Sequence, residues 1–583
     1  MLRACYERQG RQLDIMSFIF SLGRPVSTEE ARGIYYRVTG TSFESAPAPA
    51  FSGRGAWLPE FDEQQGGTVT GPVLQGLSLD DSRLDASVDT DGALAYWEWT
   101  MVLRNGRTVQ REARAQLKLP PGAVVSRVTL WINGEEREAA FGGRAETRTA
   151  YESVVRARRD PLLVTTSGPD QVLIQCFPVP PNGEMKIRIG LTQPLVAAGG
   201  EDWLLALPHF VERNFSLSEG RHDIWIEADA KLESANGALH DETALDGAST
   251  LRGRLDDSSL RTPVAIRLPR RPEDGLAWTP DLLDDGFVVR QRWEQRTTPR
   301  VEDVIVVVDG SLAMKPLLAD IGGALAAAPQ GPRYEVLVAG DEVISLGEDP
   351  DRLADIAAEG GVDSVPALLQ AREIATRSNS EAVMLWIHGP QPLLFERTAG
   401  LQAWWRRRPG RPMLYTIEAA PGMNRVIESL DGLPEVKQLP RRGPLQEDIA
   451  RALATWSRPG SERVAVRGRV EARDPIPAEW GVKTSGHLAR LWASNEVQQL
   501  IQSRGTEDRA QAVALASAYQ IVTPVSGAVV LETQAQYDQA GLKPADPAKV
   551  PTIPEPEVWL LIFVVSGLLA WQLWGRRRAW NSV

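Results

Sequence analysis

Cysteine and histidine are scarce in this chain of 583 residues, which has two cysteines, Cys5 and Cys176, and five histidines. Two cysteines are too few for a disulfide framework, and they lack the paired C-x-x-C spacing of a structural zinc site. We therefore expect ordinary hydrophobic cores to stabilise the fold.

The common sequence signatures of catalysis are also missing. The chain has no G-x-x-x-x-G-K phosphate loop, no G-x-S-x-G nucleophile elbow and no H-E-x-x-H pair. Cys176 alternates with Val172 and Ile174 on one predicted strand face, which is typical of a buried, unreactive thiol. We therefore predict a protein that is not an enzyme and has no cofactor. Catalysis stays open only through chemistry that these motifs do not cover.

A long basic stripe is absent as well. The chain has 64 Lys and Arg against 76 Asp and Glu, a formal net charge of -12. Nucleic-acid binding needs clustered positive charge to neutralise phosphates, so nucleic acid is not an expected partner. The length exceeds what one hydrophobic core organises, which predicts three or four domains.

The first 72 residues are predicted to be an N-terminal segment and a linker. Residues 15–22 form an apolar run with the length of a signal-peptide core, but Asp14 precedes it and no small-residue cleavage site follows. Residues 41–72 are rich in Ser, Ala, Pro and Gly, as linkers are. Whether a signal peptide or membrane segments precede this start is left open.

Residues 73–196 show strand patterns around one helix. The segment 126–132 alternates apolar and polar side chains, and Asn133-Gly134 after it is typical of a tight hairpin turn. A second hairpin is predicted at residues 180–183, between two strands with one apolar face each. Residues 146–158 carry apolar side chains at helical spacing, which predicts a helix packed on the sheet.

This block resembles the VIT domain, the module of vault proteins and inter-alpha-trypsin inhibitor heavy chains. Four motifs in the family's order carry the resemblance: Leu119-Pro120-Pro121-Gly122-Ala123, Leu130-Trp131-Ile132-Asn133-Gly134, the helix from Ala150-Tyr151-Glu152 to Arg159-Asp160-Pro161-Leu162, and Phe177-Pro178-Val179-Pro180-Pro181. The resemblance implies a β-rich, non-catalytic module that is usually followed by a von Willebrand A domain.

The strand pattern changes after residues 197–300, which read as further antiparallel strands. Between residues 301 and 460, continuous apolar runs are separated by helix-length intervals: 304–308, 335–339, 382–387 and 413–417. Such runs are typical of a parallel sheet covered on both faces, so we predict a doubly wound α/β domain. Residues 461–545 return to strand and helix, and 521–532 resembles the final strand that completes the sandwich in VIT plus A-domain proteins.

The 301–460 block resembles a von Willebrand A domain, whose metal site uses an Asp-x-Ser-x-Ser loop, a later Thr, and an Asp after a middle strand. The resemblance places Asp309 and Ser311 at the first Asp and the first Ser. Ala313 replaces the second Ser, Val362 replaces the Thr, and His388 stands at the second Asp. Magnesium requires several hard oxygen ligands in near-octahedral geometry, so we predict a degenerate site that holds no metal.

Two alternatives stay open at this site. Asp363 would supply a replacement oxygen ligand, or His388 would bind a softer metal. A lone histidine after a strand is more often a hydrogen-bonded structural residue. Metal-dependent adhesion through the A-like domain is therefore the alternative function.

The strongest physical signal is an uncharged apolar stretch near the C-terminus. Residues 558–574 contain no charge and are followed closely by Arg576, Arg577 and Arg578. The absence of a polar face disfavours a buried core helix, and the arginines favour a cytoplasmic tail. We predict one transmembrane helix over 558–575, a basic cytoplasmic tail over 576–583, and a location in a bacterial inner membrane with the bulk in the periplasm.

A proline-rich spacer, residues 546–557, precedes this stretch. The order Pro554-Glu555-Pro556, apolar helix, Arg576-Arg577-Arg578 resembles the PEP-CTERM sorting signal of Gram-negative bacteria. The resemblance implies recognition by an exosortase and, where the tail is removed, delivery to a cell surface rich in exopolysaccharide. A simple stiff spacer is the alternative.

These patterns together predict a multidomain protein: a β-rich VIT sandwich with one helix, a doubly wound von Willebrand A-like domain, and one C-terminal transmembrane helix. The expected function is that of a non-catalytic, membrane-anchored envelope protein. Its VIT and A-like domains are expected to bind protein or exopolysaccharide partners in connection with exosortase sorting.

Overall fold

The computed structural model describes residues 27–43, 65–156, 159, 161–197, 202–243, 248–261, 266–271, 274–298, 301–377, 381–395, 398–407, 412–457, 460–503 and 505–545. The helices of these segments are, in chain order, α1 Thr28–Thr39, α2 Arg144–Arg156, α3 Asp257–Arg261, α4 Leu318–Ala326, α5 Val365–Arg377, α6 Ala399–Arg407, α7 Arg425–Ser429, α8 Leu445–Ser457, α9 His487–Ser503, α10 Thr506–Ala518 and α11 Gln534–Ala540.

The strands before the α/β domain are β1 Leu77–Asp89, β2 Leu94–Asn105, β3 Arg111–Lys118, β4 Val124–Ile132, β5 Glu135–Glu138, β6 Ala140–Gly143, β7 Leu162–Gly168, β8 Gln171–Val179, β9 Gly183–Pro194, β10 Val196–Ala197, β11 Asp202–Leu205, β12 His209–Arg213, β13 Ser216–Leu217, β14 Arg221–Ala228, β15 Glu233–Ser234, β16 Leu239–Thr243, β17 Ser249–Asp256, β18 Ile266–Pro269, β19 Ala277–Pro280 and β20 Phe287–Thr298. The later strands are β21 Asp303–Asp309, β22 Arg333–Ala339, β23 Ile344–Gly347, β24 Ala382–His388, β25 Met413–Glu418, β26 Val436–Gln438, β27 Gly460–Glu471, β28 Val482–Lys483 and β29 Ser526–Val530.

Two sheets packed face to face form a β-sandwich. One sheet has the strand order β16-β17-β14-β1-β2-β9-β4-β5, and the other has the order β12-β3-β8-β7-β29-β6. Trp97 and Trp99 of β2 and Cys176 of β8 are fully buried in their shared core. Full burial of one large apolar side chain contributes about 1.5–3 kcal/mol, so this core is a main source of stability.

The turn at Asn133-Gly134 joins β4 and β5 in a two-residue hairpin, with Ile132 paired to Glu135. Both turn residues have positive φ, 54° and 84°, as a type I′ turn requires. The predicted hairpin at residues 180–183 is wrong in its pairing. Strand β8 pairs with β3 and β7, whereas β9 pairs with β2 and β4 in the opposite sheet. The two apolar faces therefore pack against each other across the core instead of lying side by side.

The last strand of the described chain, β29, lies between β6 and β7 in the second sheet. Ala528 is paired with Phe141 on one side and with Val164 on the other, both antiparallel. Every residue of β29 is buried. Helix α2 packs beside it and buries Tyr151 and Val154 in a cluster with Val529.

The α/β domain is one sheet with the strand order β23-β22-β21-β24-β25-β26, in which β23 alone runs antiparallel to its neighbour. Its central strand, β21, is buried along its whole length. Val304, Val306 and Val308 pack with α4 and α8 on one face. Ile305 and Val307 pack with α5, α6 and α7 on the other, which explains why this strand has no polar side.

The α/β domain is inserted between two paired strands. Strand β20 enters it and β27 leaves it, and they form an antiparallel ladder from Phe287 paired with Glu471 to Thr298 paired with Gly460. The chain therefore enters and leaves the α/β domain at neighbouring positions, the end of β20 and the start of β27.

The membrane part of the predicted fold class is wrong. No helix in the part of the chain that the structure describes combines the length and the apolar character needed to cross a membrane. Residues 546–583, with the predicted spacer, span and tail, lie outside the described residues. The fold class is therefore a multidomain, β-rich architecture with an α/β domain, and the single-pass location in a bacterial inner membrane is withdrawn with the span.

Replacing Val529 with Ala is expected to loosen the second sheet, because this side chain of β29 is fully buried. Loss of its two methyl groups should cost about 2 kcal/mol. Hydrogen exchange of peptides from β6 and β7 should accelerate, since both strands pair with β29. The control is Val482→Ala, whose side chain is 43% exposed; equal protection in the two variants would contradict the closing role of β29.

Candidate functional site

The carboxyl ends of β21, β24 and β25 meet at one edge of the α/β sheet. Strand β24 pairs with β21 on one side and β25 on the other, so Asp309, His388 and Glu418, which end these strands, lie at neighbouring positions. Ligands of doubly wound sheets bind at such an edge. The structure thus brings together two of the predicted site residues, Asp309 and His388.

Asp309 is completely buried and is held by protein donors. Its Oδ1 accepts a hydrogen bond from the Ser311 amide at 2.9 Å. Its Oδ2 accepts bonds from the Gly389 amide at 3.0 Å and from Gln391 Nε2 at 3.1 Å. Burial raises the pKa of Asp309, and these hydrogen bonds oppose the shift. The carboxyl group therefore ties the loop after β21 to the loop after β24.

The other degenerate positions offer few oxygen ligands. Ser311 is buried at the start of a short 3-10 helix, Leu312–Leu317, which contains Ala313. The side chains of Ala313 and Val362 carry no donor atom for a metal. The described residues contain no group of three or more His, Cys, Asp or Glu side chains able to hold a metal ion. The residues at this edge do not fit the magnesium site that the A-domain resemblance implies.

His388 is buried beside the ring of Trp386, with the ring centroids 4.4 Å apart. Its Nδ1 lies 3.0 Å from the Gly389 carbonyl oxygen and 3.1 Å from Asn424 Nδ2. Burial lowers the pKa of His388 to about 4, so the ring is neutral at pH 7. Its Nε2 is buried and has no hydrogen-bond partner among the described residues.

Asp363, the alternative oxygen ligand, lies two residues before the start of α5. Its Oδ1 accepts a hydrogen bond from the Val365 amide at 3.0 Å, and the residue is buried. The Val365 amide is in the first turn of the helix and has no acceptor within the helix, so the Asp363 carboxylate supplies one.

The edge is covered by a residue that the sequence analysis did not select, Tyr36 of α1. Its hydroxyl lies 3.3 Å from the Val362 carbonyl oxygen and 3.1 Å from the Pro390 carbonyl oxygen, and the side chain is buried. Burial, together with the negative charge of Asp309, raises the pKa of Tyr36, so its phenol stays protonated and donates. Helix α1 thereby contacts both the loop before α5 and the loop after β24.

Two glycines make room for this contact. The Gly361 amide donates to the Tyr36 carbonyl oxygen at 3.0 Å. A Cβ on Gly361 would lie 2.4 Å from the Tyr36 ring, and one on Gly360 would lie 1.7 Å from the Arg37 carbonyl oxygen. Helix α1 can approach this closely only because both positions lack a side chain.

Helix α1 has further contacts at its exposed side. Arg37 pairs with Asp341 at 3.1 Å, and its guanidinium lies 4.7 Å from the centre of the Phe395 ring. Tyr36 stacks on the same ring with centroids 6.0 Å apart. The helix itself was detectable in the sequence, because Ser27 and Glu30 form a capping box and Gly40 ends it in a left-handed conformation.

Changing Gly361 to Ala is expected to displace α1 while leaving the α/β sheet folded. The new Cβ would overlap the Tyr36 ring, and overpacking of this kind costs about 1–3 kcal/mol. Hydrogen exchange and protease cleavage within residues 28–39 should therefore become faster. The matched control is Gly323→Ala in α4, where a Cβ meets no atom within 4 Å. If α1 keeps its protection in the Gly361 variant, the close approach does not hold the helix in place.

Comparison with known proteins identifies the sandwich. Residues 82–191 match the family model of the vault protein inter-alpha-trypsin domain, VIT, which confirms that part of the predicted resemblance. No curated protein matches the chain.

Three solved structures overlap parts of the chain. A von Willebrand factor type A protein from Catenulispora acidiphila is 13% identical over 29% of this chain and 49% of its own, with a TM-score of 0.23. The manganese-loaded TRAP protein of Plasmodium vivax is 14% identical over 31% and 82%, with a TM-score of 0.21. An M1 zinc metallopeptidase variant from Deinococcus radiodurans is 16% identical over 39% and 45%, also with a TM-score of 0.21. The chain spans about half the length of the first of these, and overlaps this weak do not establish a shared fold or function.

Proposed function

We propose that this chain is a non-catalytic interaction protein in which a VIT sandwich and a metal-free A-like domain act as one composite unit. The observation that supports it best is the state of Asp309, whose two carboxylate oxygens are both bound by protein donors. A side chain used in this way ties the two loops together, and its Oδ2 already accepts two hydrogen bonds. Modules of the VIT and A-domain types are interaction domains in the families they resemble, which supports a binding role.

The two parts of the proposed unit are joined by polar contacts. Arg425 of α7 pairs with Glu212 of β12 at 3.0 Å and with Glu428 at 2.9 Å. Arg144 of α2 pairs with Asp431 at 3.1 Å. Glu212 is buried, so removing Arg425 would leave an unpaired buried charge. Such contacts favour a fixed arrangement of the two domains when a partner binds.

Metal-dependent adhesion is the less favoured function. A cation at Asp309 Oδ2 would compete with the bonds from Gly389 and Gln391, and Tyr36 covers the edge. A softer metal at His388 would find no cluster of further ligands among the described residues. The site as built is therefore better suited to holding α1 than to binding a cation.

The sorting signal stays a prediction. Pro554, Glu555, Pro556 and the arginines at 576–578 lie outside the described residues, and so do the exosortase and exopolysaccharide links that depend on them. With the membrane span withdrawn, they do not enter the proposed function.

Divalent cations are expected to leave the protein unchanged. Millimolar Mg²⁺ or Mn²⁺ should neither shift its thermal unfolding nor release heat in calorimetry, and EDTA should have no effect. The positive control is the variant Ala313→Ser, Val362→Thr, His388→Asp combined with Tyr36→Ala, which restores the oxygen donors and opens the edge. Saturable cation binding by the unmodified chain would overturn the metal-free proposal.

The interaction role is tested with the full chain crosslinked to its partners in the cells that produce it. The proposal expects a reproducible partner whose binding to the purified chain survives EDTA and weakens in Arg425→Ala, with Arg37→Ala as a control at the exposed pair with Asp341. Loss of the partner on chelation would instead support metal-dependent adhesion. Absence of a specific crosslinked partner would contradict the interaction role.

A further inference from the structure

A cavity of about 370 Å³ lies beside the carboxyl edge of the α/β sheet, where the sheet meets the sandwich. The α/β domain contributes Glu418 at the end of β25, Gln438 at the end of β26 and the segment 439–442 that follows. The sandwich side contributes the segment 118–121 and Asp170, and residues 204–207 line a third wall. The size falls in the range of about 300–1,000 Å³ that small-molecule pockets show, and the place is the usual ligand edge of such sheets.

Three charged side chains in the cavity wall have incomplete hydrogen bonding within the described structure. Lys118 Nζ donates to the carbonyl oxygen of Pro169 at 3.3 Å and to Gln438 Oε1, both uncharged acceptors, so two of its three protons are used. Glu418 accepts the Gly422 amide at 3.2 Å, and Asp170 accepts the Gly122 amide at 3.2 Å. Burial lowers the pKa of Lys118 and raises the pKa of both carboxyl groups, and the attraction between Lys118 and these two groups opposes each shift.

The wall also contains three arginines that have protein partners and one neutral histidine. Arg441 pairs with Asp448 at 2.9 Å, and Arg261 pairs with Asp257 at 3.1 Å. Arg442 donates to the Ala197 carbonyl oxygen at 3.0 Å. Burial lowers the pKa of His209 to about 4, so its ring is uncharged at pH 7. A ligand in this cavity therefore meets the Lys118 ammonium and the carboxyl groups of Glu418 and Asp170, with further positive charge from the three guanidinium groups.

The other lining residues are mostly apolar. They come from four segments, residues 119–121, 204–207, 419–421 and 439–440, and from Leu260 of helix α3. A ligand that fills this space must therefore carry an apolar body. Its polar end must satisfy charges of both signs, because burying a charge is costly unless it is paired.

We propose that this cavity binds a small zwitterion with an apolar side chain, of the α-amino acid class. Its carboxylate would pair with Lys118, and its ammonium would pair with Glu418 and Asp170. A simple anion would leave the two carboxyl groups beside a further negative charge, and a simple amine would lie beside Lys118. A zwitterion carries both charges, so its carboxylate can lie beside Lys118 and its ammonium beside the two carboxyl groups. This proposal stands apart from the interaction role, because ligand binding is measured without any protein partner.

The experiment uses the full chain with three probes that share one branched apolar body: leucine, 4-methylpentanoate without the ammonium group, and 3-methylbutylamine without the carboxylate. Calorimetry and thermal unfolding are expected to show saturable binding of leucine, with the two analogues at least tenfold weaker. Methionine and phenylalanine serve as further zwitterions of other shapes.

Two variants locate the binding. Lys118→Met and the near-isosteric Glu418→Gln should each weaken leucine binding by tenfold or more. Lys231→Met, at an exposed lysine paired with Glu233 at 2.7 Å, should leave it unchanged. If Lys118→Met fails to fold, Glu418→Gln decides. The proposal is overturned if none of the three amino acids binds, if an analogue binds as tightly as leucine, or if Glu418→Gln has no effect.

Discussion

The return of β29 into the sandwich is the constraint on which the rest of the structure depends. This strand fills the gap between β6 and β7, so the second sheet is continuous only when a segment near residue 530 joins residues 140–168. The chain between these segments includes the α/β domain, and the pairing of β29 with β6 and β7 brings the two ends of that stretch together. The antiparallel pairing of β20 with β27 brings the chain together a second time, immediately before and after the α/β domain.

In this arrangement the carboxyl edge of the α/β sheet contacts other parts of the chain. On one side Tyr36 of α1 covers the loops around Asp309. On the other side the sandwich and the segment 204–207 line the cavity at Glu418. One part of the edge is thus covered by helix α1, and another part faces this cavity. At this edge, protein donors bind both carboxylate oxygens of Asp309.

The local pattern of the sequence predicted where strands and turns form better than it predicted which strands pair with each other. The apolar run at 304–308 forms β21 because a strand buried on both faces needs apolar residues at every position. The turn at Asn133-Gly134 formed because its positive φ values are a local property. The hairpin at residues 180–183 failed because alternation shows that a strand has a buried face but not which strand lies beside it.

The site shows the same limit. The A-domain resemblance assigned Asp309 and His388 to one site, and the two residues end neighbouring parallel strands. Tyr36 lies more than 270 positions before Asp309, and neither composition nor spacing relates the two. The charges of the cavity are equally remote from each other, since Lys118 and Glu418 come from different domains. Contacts of this kind arise from how the domains pack, which local periodicity does not specify.

The position of β29 also has a consequence for how the protein is made. Ser526 lies 358 positions after Gly168, the end of β7. At a synthesis rate of about 5–20 residues per second, roughly 20–70 s pass before the second sheet can receive its missing strand. During that time the edges of β6 and β7 that face the gap are unpaired and open to wrong partners, including the same edges of another nascent chain. The cell therefore has to protect an unfinished sandwich while the α/β domain is translated and folds.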